Sequence, residues 1–339
     1  MRRLVSVLFV LAMAAGCASA QRLPLRFRAD GTFKIVQFTD LHYIHGNPHS
    51  QRALTRIREV VKAERPDLVV VTGDMIFGQP AEQSMRDVAQ CLDSLGVPFC
   101  TTFGNHDEEF GLSHDELHSL LRTPNNVEPE HAAGTEYDYV LRIMGSHDDS
   151  TRAAIYCLDS HNKSQCRLVG GYAWLTRRQI EWYRTESRRL TLENGGRALP
   201  ALAFFHIPLP EFETAFRKRD TWVVGARMEA VCCPRYNSGM FDAMRKEGDV
   251  MGIFCGHDHN NDYAVMWKGI LLAYGRYSGG NTVYNDLVGG NGARVIVLHE
   301  GQRTFETWLR LKHGSIRNYL KVPDNFAWSD PAKRPVERD

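Results

Sequence analysis

Five short segments of this chain concentrate carboxylate, carboxamide and imidazole side chains. They are Asp40-Leu41-His42, Gly73-Asp74, Gly104-Asn105-His106-Asp107, the isolated His206, and Gly256-His257-Asp258-His259. These are the oxygen and nitrogen donors that a two-metal hydrolytic site requires, where a pair of close cations shares a water and lowers its pKa toward neutrality. An Asp-x-His or a Gly-Asp alone is commonplace. The ordered set of five carries the weight, because independent accidents would have to coincide.

Each segment follows a short apolar run that reads as a strand: 33–38, 68–71, 97–102, 201–205 and 250–255. Strand ends are where side chains from distant sequence converge on one point in a sheet protein. Helical patterns fall between the strands. Residues 50–65 place Leu54, Ile57, Val60 and Val61 on one face, with Ser50 as the expected N-cap. A second amphipathic stretch covers 81–95. The Ser113-x-x-Glu116 spacing predicts a capping box and a third helix. Residues 176–192 form another, closed by Asn194-Gly195-Gly196. Asn237-Ser238-Gly239 reads as the cap of a short helix over 240–246. Further strands are expected at 137–143, 153–158, 262–267, 270–274, 294–298 and 304–309, with Lys268-Gly269 as a tight hairpin turn. One site drawing on residues from Asp40 to His259 without a linker argues for one domain, 21–321, followed by a proline- and charge-bearing tail, 322–339.

The formal net charge of +1 lacks the basic excess of a dedicated nucleic-acid binder, so no nucleic acid is expected as a structural partner. Residues 1–20 read as a targeting segment. Arg2 and Arg3 precede an apolar run too short to span a membrane comfortably, and Ala18-Ser19-Ala20 offers a cleavage site before Gln21. Ala14-Ala15-Gly16-Cys17 competes as a lipoprotein box, with Cys17 lipidated. Both readings export the protein, periplasmic or secreted, with membrane contact only through a lipid at Cys17. Seven further cysteines lack a scaffold pattern, and Cys157 with Cys166, flanking a polar loop, is the pair best placed for a bridge.

The ordered motifs resemble those of the calcineurin-like metallophosphoesterase superfamily, over most of the chain after residue 20. Within it the chain is most similar to the small purple-acid-phosphatase-related enzymes, through Gln37-Phe38-Thr39-Asp40-Leu41-His42, Gly73-Asp74-Met75-Ile76-Phe77, Phe205-His206-Ile207-Pro208-Leu209-Pro210 and Gly256-His257-Asp258-His259-Asn260-Asn261-Asp262. The resemblance implies an α/β (α+β) sandwich: two mixed β-sheets packed face to face, flanked by helices, with the site at one end. It implies one metal held by Asp40, His42 and His259, a second by Asn105, His206 and His257, and Asp74 shared between them. The donor set suits iron, manganese or zinc. It further implies hydrolysis by a metal-bridging hydroxide. His106 would contact the phosphoryl group or protonate the leaving group, and Asp107 would orient His106 or raise its basicity. Gly104 would permit a sharp backbone turn. Purple acid phosphatases carry a tyrosine three residues after the shared aspartate; Phe77 stands there, so the ferric phenolate colour is expected to be absent.

Arg276, in the glycine-rich run from Tyr274 to Gly280, is a candidate phosphate clamp. His45 and His49 are candidates for the pocket wall, and Asp258 for support of the ligand histidines. The leading function is an exported phosphatase of phosphomonoesters, acting on a phosphorylated small molecule or a phosphoprotein. Its rivals are a phosphodiesterase using the same site, and a non-catalytic surface-binding lipoprotein that retains the fold.

Overall fold

The computed structural model describes residues 24–130 and 136–326. The targeting segment, Cys17 and residues 327–339 of the tail lie outside the described residues. No helix among those described is long and apolar enough to cross a membrane.

The chain alternates strands and helices through its first two thirds: β1 (Thr32–Phe38), α1 (Gln51–Glu64), β2 (Leu68–Thr72), α2 (Ala81–Asp93), β3 (Phe99–Thr102), α3 (His114–Leu121), β4 (Tyr139–Met144), β5 (Thr151–Cys157), α4 (Arg177–Glu193), β6 (Ala201–Phe204), α5 (Pro210–Arg217), β7 (Val223–Val224) and α6 (Met240–Glu247). It then becomes strand-rich: β8 (Val250–Cys255), β9 (Ala264–Trp267), β10 (Ile270–Tyr274), β11 (Gly292–His299), β12 (Phe305–Leu311) and β13 (Ile316–Val322).

Two mixed sheets result, ordered β13-β12-β11-β1-β2-β3 and β4-β5-β6-β8-β10-β9-β7. Strands β1, β2 and β3 run parallel, as do β5, β6, β8 and β10, while the outer strands pair antiparallel. The period of two in side-chain direction explains the layering. In β1, Phe33 and Ile35 face the second sheet, while Val36 and Phe38 face the helices; in β6, Leu202 and Phe204 point inward, and Ala201 and Ala203 point toward helices. Strands covered on both faces read as continuous apolar runs. The inter-sheet core therefore contains Leu68, Val70, Phe254 and Leu271. Helices α1–α3 cover one outer face, and α4–α6 the other. The architecture is the helix-flanked double sheet that the motifs implied.

Local signals fared unevenly. Ser113 and Thr176 both make capping boxes. Lys268 and Gly269 both take positive φ in the β9–β10 turn, the geometry a two-residue hairpin needs. Ser50 does not cap α1: its backbone is already helical and its hydroxyl accepts the Ile44 N–H instead. Gly239 rather than Asn237 or Ser238 is the N-cap of α6, without a side-chain bond. Strand β13 reaches Val322 and Phe326 packs on Trp222 at 5.0 Å, so the first residues of the expected tail belong to the fold. The expected Cys157–Cys166 bridge is absent, because Cys157 is buried in the inter-sheet core and Cys166 lies exposed on a loop.

Candidate metal centre

The five motifs leave the C-terminal ends of β1, β2, β3, β6 and β8, three strands of one sheet and two of the other. Their loops meet at one end of the two sheets. Thr39 bridges to Tyr277 and Tyr43 to Ile76, so the first loop is stitched to both sides of the cleft.

The backbone there is unusual. Asp40, His42, Asp74 and His257 take φ of 55°, 46°, 51° and 78°. Positive φ is uncommon outside glycine and persists only where the surroundings over-determine it. Here they do. The His257 N–H donates to the Asp40 carboxylate at 3.1 Å, and the His106 N–H donates to Asp74 at 2.9 Å. A Cβ at Gly73 would come within 2.7 Å of the Gly104 backbone, and one at Gly104 would overlap the Asp74 carboxylate. Gly104 does not have positive φ; it is needed for close approach rather than for the turn expected of it.

Two donor clusters share one residue. Asp40, His42, Asp74 and His259 place ligand atoms within 4.8 Å of one another, as do Asp74, His206 and His257. All are buried. The Nε2 atoms of His42 and His259 face each other at 2.9 Å, and His206 Nε2 lies 3.1 Å from Asp74. His206 Nδ1 donates to the Thr72 carbonyl at 2.8 Å and His259 Nδ1 to that of Tyr284 at 3.2 Å, which leaves each Nε2 lone pair aimed inward.

These residues fit a pair of cations by a test internal to the structure. Asp74 Oδ2, Asn105 Oδ1, His206 Nε2 and His257 Nε2 are buried without a hydrogen-bond partner, Asp74 and His206 facing each other as an ion pair. Each such orphan costs roughly 1–3 kcal/mol. A bound cation would relieve that cost at the atoms of the shared cluster, Asp74, His206 and His257. The electrostatics agree. Burial drives the His42 and His257 imidazoles down to about 3, keeping them neutral and able to offer lone pairs. Burial opposes charge on His206 too, but Asp74 and Asp40 override it and pull that imidazole up to about 10. Asp40 is held at about 2 against burial by His259 and His206. Two buried carboxylates thus draw positive charge into the cleft.

Asn105 is buried with its Oδ1 unpartnered, whereas the side chain of His106, next in sequence, is 28% exposed. Its ring stands edge-on to Phe77 at 4.9 Å and lies 5.4 Å from His42. Phe77 also contacts His42 at 5.0 Å, so an apolar ring occupies the place where a phenolate would approach the cluster.

Two expectations are corrected. Asp107 does not orient His106: it is fully buried and accepts N–H groups from Asp74, Met75, Ile76 and Gly104 at 3.0, 2.7, 3.2 and 2.8 Å. The His106 ring instead pairs through Nδ1 with Glu109 at 2.6 Å. Arg276 is not a phosphate clamp. It is 2% exposed, ion-paired with Asp262, and donates to the carbonyls of Gly290 and Val288. Of the remaining candidates, His45 is an exposed partner of Asp87, His49 is exposed, and Asp258 is buried against the Tyr274 hydroxyl and the Cys232 N–H.

Sequence reasoning missed two aromatic neighbours of the ligands: Tyr172 against His257 at 4.5 Å, and the half-exposed Tyr284 against His259 at 4.5 Å. Nothing in the local sequence marks either. Glu109 was findable, three residues after His106 in a polar loop.

A family model described as calcineurin-like phosphoesterase matches residues 33–261. The chain is 31% identical to the probable inactive purple acid phosphatase 29 of Arabidopsis thaliana, over 95% of this chain and 92% of that protein. It is 30% identical to phosphatase DCR2 of Saccharomyces cerevisiae, over 83% of this chain and 54% of that one. Among solved structures, a dimetal phosphatase from Danio rerio shares the fold with a TM-score of 0.58, at 15% identity, over 86% of this chain and 98% of that one.

Proposed function

The chain belongs to the calcineurin-like phosphoesterase family, and from that premise we propose that it is an exported, two-metal phosphatase acting on phosphomonoesters. The observation that carries this reading is the complete, buried donor set, in which two clusters share Asp74 and leave Asp74 Oδ2, His206 Nε2 and His257 Nε2 without a hydrogen-bond partner. That completeness favours catalysis here, although the Arabidopsis relative is named inactive, and the yeast relative's name supports phosphatase activity.

Asp40, His42 and His259 would hold one cation, Asn105, His206 and His257 the other, and Asp74 both. When bound, such a pair supplies Lewis acidity toward phosphoryl oxygens and a water of lowered pKa. The protein's own residues do the rest. The Thr72 and Tyr284 carbonyls aim the His206 and His259 rings, and Phe77 shields one side of His42 and His106.

The test is hydrolysis by protein loaded separately with iron, manganese or zinc, on nitrophenyl phosphate and bis-nitrophenyl phosphate. Faster turnover of the monoester supports the reading. Preference for the diester would make the protein a phosphodiesterase, and hydrolysis of neither with two metals bound would leave a binding protein on this fold. N-terminal sequencing of the exported protein tests the first segment: a start at Gln21 indicates simple cleavage, and a lipid-blocked Cys17 indicates an anchored form.

A further inference from the structure

We propose that Glu109 is the positioning residue for His106, holding its imidazole through Nδ1 so that Nε2 faces the substrate. The inference rests on the phosphoesterase reading for its kinetic consequence, but not for its geometry.

Four observations carry it. The Glu109 carboxylate lies 2.6 Å from His106 Nδ1. The Glu109 N–H donates to the His106 carbonyl at 3.1 Å, closing a turn that brings side chains three residues apart onto one side. The other two acids of the segment are engaged elsewhere: Asp107 with four backbone N–H groups, and Glu108 with the N–H and ring of His114. The ring is flanked by Phe77 and His42, neither of which bonds to it, so Glu109 is what sets its rotation.

An ionised carboxylate only accepts hydrogen bonds. Nδ1 must therefore carry the proton in this pair, and Nε2 is the atom left for exchange with the substrate. The pair is partly exposed, at 28% and 37% for the two side chains, so its contribution to stability is small and its removal leaves the fold standing.

The experiment compares metal-loaded wild type with Glu109→Ala, His106→Ala and the double variant, on an alkyl phosphate and on nitrophenyl phosphate. Glu109→Ala should keep two metals and lose about 10- to 100-fold in kcat on the alkyl ester, the usual scale for an outer partner of an active-site imidazole. The loss on nitrophenyl phosphate should be smaller. In the His106→Ala background Glu109→Ala should cost nothing further, because Glu109 acts only through the ring. A further loss there, or loss of a metal in Glu109→Ala, overturns the proposal.

A second readout needs no turnover. In nitrogen-15 spectra of histidine-labelled, metal-loaded protein, the His106 Nδ1 signal, assigned by its absence in His106→Ala, should shift on Glu109→Ala. An unmoved signal overturns the positioning role whatever the activity. If wild type hydrolyses neither ester, the phosphatase reading fails and the nitrogen signal alone decides this one.

Discussion

The Asp107 carboxylate accepts the backbone N–H of Asp74 at 3.0 Å, across 33 residues of sequence. Its other bonds, to Met75, Ile76 and Gly104, tie the loop after β2 to the loop after β3. The last residue of one motif thereby holds the strained backbone of another, and with it the carboxylate that both donor clusters share.

Asp107→Asn tests that role. The carboxamide presents N–H groups to a nest of N–H donors, leaving some of them unpaired at about 1–3 kcal/mol each. Denaturant midpoint and metal content should fall together. A variant that is slow but retains both metals and full stability would return Asp107 to the neighbourhood of the His106 ring.

Asp74→Asn should remove most of the bound metal and nearly all hydrolysis, because the shared ligand loses its charge where two cations need it. Chelation of the wild type should likewise lower its melting temperature, since a ligand bound only by the folded state stabilises it. Turnover near wild type in Asp74→Asn would sink the two-metal arrangement.

His106→Ala should retain two metals while kcat falls about a hundredfold or more, the scale for losing a positioned proton donor. Alkyl phosphates should suffer more than nitrophenyl phosphate, whose leaving group needs little protonation. His257→Ala, by contrast, should lose a metal and slow both substrates alike. Elemental analysis beside turnover on the two esters separates these outcomes.

Iron-loaded wild type should show no strong phenolate charge-transfer band in its visible spectrum, because the ring 5.0 Å from His42 is Phe77. An intense band would mean that some tyrosine ligates the iron and that the donor set is misassigned.

Arg276→Ala should destabilise by about 3–5 kcal/mol, the range for stripping one partner from a buried ion pair, because Asp262 is left uncompensated. In the fraction that folds, KM should be unchanged. A raised KM at wild-type stability would identify Arg276 as a substrate clamp after all.

What the sequence by itself determined was the set of candidate donors and the scaffold that carries them. Asp40, His42, Asp74, Asn105, His206, His257 and His259 each follow an apolar run, and the strand and helix periods that place them are local properties of the chain. Tertiary structure alone decided which neighbour each polar group meets. Asp107, Glu108 and Glu109 are three consecutive acids with similar intrinsic chemistry. One turns inward to a loop that the β2–β3 pairing brings alongside, one turns to His114, and one turns back to His106. Arg276 is a plausible clamp in one dimension and a buried brace in three, because the β8–β10 pairing sets the stretches that follow these strands side by side and brings Asp262 to its guanidinium. Hydrogen-bond partners so distant in sequence depend on sheet register and loop closure, and no short window of residues encodes those.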